Sequence, residues 1–281
     1  MNQPASICSI TTIDTINEFL GLMHSVWCTM PEVHLHISCC KSSADVIKRV
    51  AANIYPEMSI SIDKCMDMFA RQGRVNLERN RLLELLVLEK MRAMKFCLEH
   101  FTDCLYVDSD VIFLERPVIN KLEYKLFLSP SFIDRDLEGE TGCFNAGYIW
   151  SSDVECVNTW ESLIPYSKYY DQQCLDELSV QFKHCVFHAG HNIMPWRLLR
   201  PRGTVEEYFS SYSNRGSDVF YTGCPLTSIH THLLRPDFKD FNRHIISLLI
   251  PNRYKSSIEA YAIINKYTKY GEEGAYRSLF R

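Results

Sequence analysis

Two aspartates, Asp108 and Asp110, interrupt an otherwise apolar run over residues 104–114 (Cys-Leu-Tyr-Val-Asp-Ser-Asp-Val-Ile-Phe-Leu). In extended chain, residues two apart point to the same side, so the two carboxylates are presented together. Like charges inside a core are very costly unless something neutralises them. A strand that ends at a crevice, with a divalent cation bridging the pair, resolves that cost. Open α/β sheets place ligands at the carboxyl ends of their strands, and hard oxygen ligands suit Mg²⁺ or Mn²⁺. The competing reading is a strand followed by a plain acidic turn, since the tripeptide is common. The flanking apolar run favours the metal site.

Other stretches carry chemistry less distinctly. Residues 142–150 begin Gly-Cys-Phe-Asn-Ala-Gly and continue as an apolar strand, so Asn145 offers a donor and an acceptor where small neighbours let a ligand approach the backbone. Asp171 and Gln172 precede an expected helix over 174–182, with Asp171 placed as its N-cap. His230 or His232 can complete a metal site begun by carboxylates. His184, His188 and His191 lack a patterned cysteine or acidic partner and read as structural.

The elements that must position these groups alternate. Strands are expected over 6–13, 33–39 and 59–62, and helices over 16–27 and from Ser42 and Ser43 through Asn53. The span 33–39 alternates apolar and polar residues strictly. A long helix over 78–100 then feeds the aspartate strand. This βαβα order implies an α/β fold, a mostly parallel sheet with helices on both faces.

The 281 residues suffice for one large domain or two small ones, and a net charge of −4 gives no electrostatic footprint for nucleic acid. No early run has the length and apolarity of a signal peptide or membrane span, and the twelve scattered cysteines form no C-x-x-C pair. They read as reduced thiols, and the expected location is cytoplasmic.

Taken together, the segments resemble the GT-A glycosyltransferases, in particular the retaining family 8 enzymes (glycogenin and the lipopolysaccharide galactosyltransferases). Four matches carry the resemblance in order: Tyr106-Val107-Asp108-Ser109-Asp110, Phe144-Asn145-Ala146-Gly147, Asp171-Gln172, and Asn192-Ile193-Met194-Pro195. A fifth departs from the family's H-x-x-G-x-x-K-P-W: from His230 to Pro236 there is no glycine, Arg235 stands for the lysine, and one residue is missing.

The resemblance implies that Asp108, Asp110 and His230 hold Mn²⁺ or Mg²⁺ and that Thr11 and Thr12 line the nucleotide-base pocket. It further implies that Lys90, with Arg92 as the fallback, touches the donor, and that Arg235 steadies its diphosphate. Asn145, Asp171 and Gln172 would surround the transferred sugar as catalytic residues, with Asp136 or Glu138 also within reach. The implied activity is transfer from a nucleotide-sugar donor, most commonly a UDP-sugar in such enzymes, to a glycan or glycoconjugate acceptor with retention.

A sugar-nucleotide or glycan-binding protein that keeps the fold without catalysis is the alternative. A haloacid-dehalogenase-type phosphatase is disfavoured, because its D-x-D lies in the first strand and needs a later acidic loop. A nucleotidyltransferase would need a Gly-rich basic loop where Thr11-Thr12-Ile13-Asp14 stands.

Residues 1–250 are read as the GT-A domain and 251–281 as a helical extension packed on it. Basic residues and tyrosines mingle in 253–281, while Ile258, Tyr261, Ala262 and Asn265 share one helical face. A packing helix with a solvated basic face is the preferred reading, with weak peripheral membrane contact at most.

Overall fold

A computed structural model describes residues 3–133, 135–194, 205–216 and 218–231. Its first half alternates strand and helix: β1 (Ser6–Thr11), α1 (Ile16–Thr29), β2 (His34–Cys39), α2 (Lys41–Ile54) and β3 (Ile60–Asp63). Next come α3 (Arg74–Arg79), α4 (Leu83–His100), β4 (Cys104–Val107) and β5 (Val111–Phe113). The chain continues through β6 (Leu126–Pro130), α5 (Arg135–Thr141), β7 (Phe144–Ser151), α6 (Val154–Leu163), α7 (Tyr170–Gln181) and β8 (His184–Val186). The last described elements are α8 (Val205–Ser210), β9 (Tyr212–Arg215), β10 (Asp218–Tyr221), β11 (Cys224–Pro225) and β12 (Ser228–His230).

Seven strands form the central sheet in the order β3-β2-β1-β4-β7-β6-β8. All neighbours are parallel except β7, which runs antiparallel to both β4 and β6. The pleat sorts side chains to the two faces. Ile7, Leu35, Ile37, Leu105 and Val107 pack with Phe19, Leu22, Met23 and Ile47 of α1 and α2 on one face. On the other, Cys8, Cys104, Tyr106 and Ile149 pack with Met91, Met94 and Cys97 of α4, Trp160 of α6 and Leu175 of α7. The fold class is thus α/β, as the βαβα reading implies.

Several local expectations are corrected. The alternation over 33–39 does not expose one face of β2: all but His34 of its residues are buried, because helices cover both sides of the sheet. Neither Ser42 nor Ser43 caps α2. Cys40 is its N-cap residue, and the Lys41 amide donates instead to Asp67 Oδ1 at 2.7 Å. The helix expected over 78–100 is two helices, broken where Arg81 takes a left-handed φ of 56°. Asp171 lies inside the first turn of α7, and Tyr169 is the residue at its N-cap.

The apolar run over 104–114 is two strands with the aspartates in the tight turn between them, closed by Val111 N donating to Asp108 O at 3.1 Å. That break has a purpose in the topology. It frees β5 from the central sheet to pair antiparallel with β12, with Val111 opposite His230.

Candidate active site

The turn after β4 opens into a cleft of about 520 Å³ bounded by the ends of β1, β4 and β7 and by α4 and α7. Asp108, Asp110 and His230 meet at its floor, each offering a ligand atom within 4.8 Å of the others. His230 Nε2 lies 2.9 Å from Asp110 Oδ1 and 3.8 Å from Asp108 Oδ2. The backbone fixes this meeting, since the amide and the hydroxyl of Thr231 each donate to Asp110 O at 2.9 Å. Burial pushes the His230 imidazolium pKa down, but the Asp110 and Asp108 carboxylates outweigh it and leave it raised.

Lys90 of α4 joins this floor to the next group. Its Nζ sits 3.2 Å from Asp108 Oδ1 and 2.8 Å from Asp171 Oδ2, over the Tyr106 ring at 5.1 Å. Burial pushes the ammonium pKa down, and the two carboxylates more than reverse it. Tyr106, one pleat before Asp108, donates its hydroxyl to Asp108 Oδ1 at 2.7 Å. Burial and the Asp108 charge hold that phenol well above its ordinary range, so it remains a donor.

The far wall is a network of amides. Asn145 Nδ2 donates to Gln172 Oε1 at 3.3 Å, and Gln172 Nε2 donates to Thr141 O at 3.2 Å. Asn145 Oδ1 accepts from Gly147 N at 3.0 Å and from Asn192 Nδ2 at 3.1 Å. Gly147 is required by close approach, since a Cβ there would collide with the Asp108 carboxylate. Tyr170, at the start of α7, takes a left-handed φ of 46°, a strained backbone of the sort that clusters at ligand sites.

Of the residues singled out in sequence, Thr11, Thr12, Lys90, Asp108, Asp110, Asn145, Asp171, Gln172 and His230 all line this one cleft. Arg92 does not. Its side chain is 65% exposed and pairs with Glu89, and it does not line the cleft, so of the two Lys90 is the one at the site. Asp136 and Glu138 sit on the surface helix α5 and are not among the cleft-lining residues. His184, His188 and His191 lie outside the cleft; His191 Nδ1 is 3.1 Å from the Tyr148 hydroxyl and His188 Nδ1 accepts from Gly190 N at 3.1 Å. Pro195, His232, Arg235, Pro236 and the 251–281 extension lie outside the described residues.

Sequence reasoning missed Tyr106 as a partner of Asp108, although the two-residue pleat period placed it on that side. It also gave no role to Asn192, which holds Asn145 through a left-handed φ of 49°. Asp14 and Glu18, which line the cleft from the start of α1, carried no signal beyond their charge.

No protein-family model and no curated protein matches the sequence. Solved structures do match. The galactosyltransferase LgtC, in complex with donor and acceptor sugar analogues, superimposes with a TM-score of 0.55 at 16% identity, covering 90% of this chain and 99% of that one. An active-site mutant of LgtC gives 0.55 at 15% identity over 98% and 99% of the two chains. The bifunctional glycosyltransferase WbbM gives 0.54 at 10% identity over 95% of this chain and 52% of its own. The fold is that of the GT-A glycosyltransferases. In the order of its motifs the chain resembles family 8 among them.

Proposed function

We propose that the protein is a metal-dependent glycosyltransferase that moves a sugar from a nucleoside-diphosphate donor, a UDP-sugar, to a hydroxyl of a glycan or glycoconjugate acceptor, with retention. The observation that carries this reading is the convergence of Asp108, Asp110 and His230 at the floor of a cleft, beside a lysine–aspartate pair and two side-chain amides. Two carboxylates and one imidazole within 4.8 Å suit Mn²⁺ or Mg²⁺, and these three residues would hold it. When bound, the ion offsets negative charge that gathers on the diphosphate as it leaves.

The chain's own groups do the rest. Lys90 is a fixed, desolvated cation at the junction between diphosphate and sugar, and being preorganised it needs no rearrangement as charge develops. Asp171, Asn145 and Gln172 present oxygens toward the sugar, where oxocarbenium character is stabilised by carboxylate and amide oxygens. Asn192 and Thr141 hold those amides in one orientation. Thr11 and Thr12, at the end of β1, are assigned to the nucleotide base, and Arg235 to the diphosphate on sequence grounds. With retention, the acceptor enters from the face the diphosphate leaves, and the reaction needs no strong protein base. Residues 1–250 are assigned to the transferase domain and 251–281 to an extension of it.

Release of nucleoside diphosphate from UDP-sugars with added Mn²⁺ tests the proposal. Asp110→Asn should lower turnover by about 100-fold or more while the variant still folds. Equal turnover in wild type and variant at limiting Mn²⁺ would contradict the metal assignment. Donor binding without any turnover would return the protein to the class of non-catalytic binders.

A further inference from the structure

A second cluster of ligating groups lies in the same layer as Lys90, deeper beneath the sheet. Cys8 of β1, Cys97 of α4 and Cys104 of β4 bring their sulfurs within 4.8 Å of one another, and Cys8 and Cys104 are 3.3 Å apart. The register explains the meeting: Cys8 pairs with Tyr106 and Ser6 with Cys104, so both strand cysteines face α4 one pleat apart. Cys97 follows Lys90 by seven residues, two helical turns, and therefore points from the same face of α4. All three are fully buried.

Among the described residues, no histidine, carboxylate or further cysteine joins the trio as a fourth ligand. Hydrogen bonds from the Cys104 and Cys8 thiols push the Cys97 thiol well below its ordinary range, while burial pushes Cys8 and Cys104 up.

We propose that Cys8, Cys97 and Cys104 form a three-coordinate soft-metal site that takes one monovalent copper ion and ties β1, β4 and α4 together under the cleft. Soft sulfur ligands select Cu⁺, zinc or iron–sulfur clusters. Structural zinc is almost always four-coordinate, and the trio supplies only three ligands, which singles out Cu⁺. Loading deprotonates the sulfurs that bind, releases those protons to solvent and moves no electron. The site is independent of the sugar-transfer proposal, since none of its residues lines the cleft.

The test is a titration of reduced, anaerobic protein with Cu⁺ supplied from a competing chelator, both to the folded chain and during refolding. One ion per chain should bind, with sulfur-to-copper charge-transfer absorption and a raised melting temperature, because the ion binds the native state alone. That equivalent should be lost in Cys97→Ala and in Cys8→Ala, either of which suffices if the other fails to fold. It should persist in Cys28→Ser, which removes an exposed thiol, and in the presence of excess Mn²⁺. Retention of the copper in both core variants, or no rise in melting temperature, would overturn the site and leave three thiols that only fill space. Zinc bound as tightly as copper, at one equivalent lost in the same variants, would overturn the three-coordinate assignment.

Discussion

The two ends of the cleft are built differently. The floor is charged and held by backbone: Asp108 and Asp110 sit in a closed turn, and His230 is delivered by the β5–β12 ladder. The opposite wall is largely neutral and held by side chains, with Asn145 bonded to both Gln172 and Asn192. Lys90 links the two ends, pairing with both Asp108 and Asp171. On the proposed function, charges that gather a metal and a diphosphate need fixed positions, because a like-charge pair tolerates no slack. Amides that face a sugar carrying partial charge would need orientation more than field. The floor should therefore govern binding, and the wall should govern rate.

Lys90→Met attacks the link and should have the largest effect. It leaves Asp108 and Asp171 without their shared cation in a mostly buried site, which costs about 3 kcal/mol of stability, and turnover should fall about 100-fold. Chemical denaturation and donor hydrolysis measure the two losses. A stable, active variant would show that the ends are independent.

Gln172→Ala touches the wall alone and sharpens the contrast. Its kcat should fall about 10-fold while the dissociation constant for UDP changes less than about 2-fold. Parallel losses in both would mean that the wall binds donor as much as it turns it over.

The smallest effect lies away from both ends. His36 is buried on β2, stacked on Phe96 at 4.0 Å with Nδ1 2.8 Å from the Ser61 hydroxyl. Burial lowers its pKa and that of His34. Both are neutral in folded and unfolded chains above the ordinary histidine value of about 6.5. As pH falls below that, the unfolded chain takes up protons first. The associated stability is thus present above about pH 6.5 and is lost as pH falls through the depressed folded values. Thermal melts should show a fall of roughly 2–4 °C between about pH 7 and pH 5.5, reduced in His36→Gln. A melting temperature flat over that window in wild type would contradict it.

Much of the sheet's first half was legible because each strand and helix there is local: apolar period and length name it without help from distant residues. The aspartate pair was legible for the same reason, two charges inside an apolar run. The errors occurred where tertiary contacts decide. Arg81 breaks a helix that its apolar pattern alone would continue, and Cys40 displaces the better capping residues Ser42 and Ser43 because Asp67 satisfies the first amide of α2. Asp171 looks like a cap in sequence, and only the approach of Lys90 from α4 shows what its carboxylate faces. The wall's Asn192 lies 47 residues from Asn145, beyond any local pattern.

The claim on which the account turns is that the floor binds donor through a divalent ion. Calorimetric titration of UDP into the protein, with and without Mn²⁺, in wild type and in Asp110→Asn, measures this directly. The account predicts UDP binding that tightens about 10-fold or more with Mn²⁺ in wild type and gains nothing from Mn²⁺ in Asp110→Asn. UDP binding of equal strength with and without Mn²⁺ in wild type would contradict it.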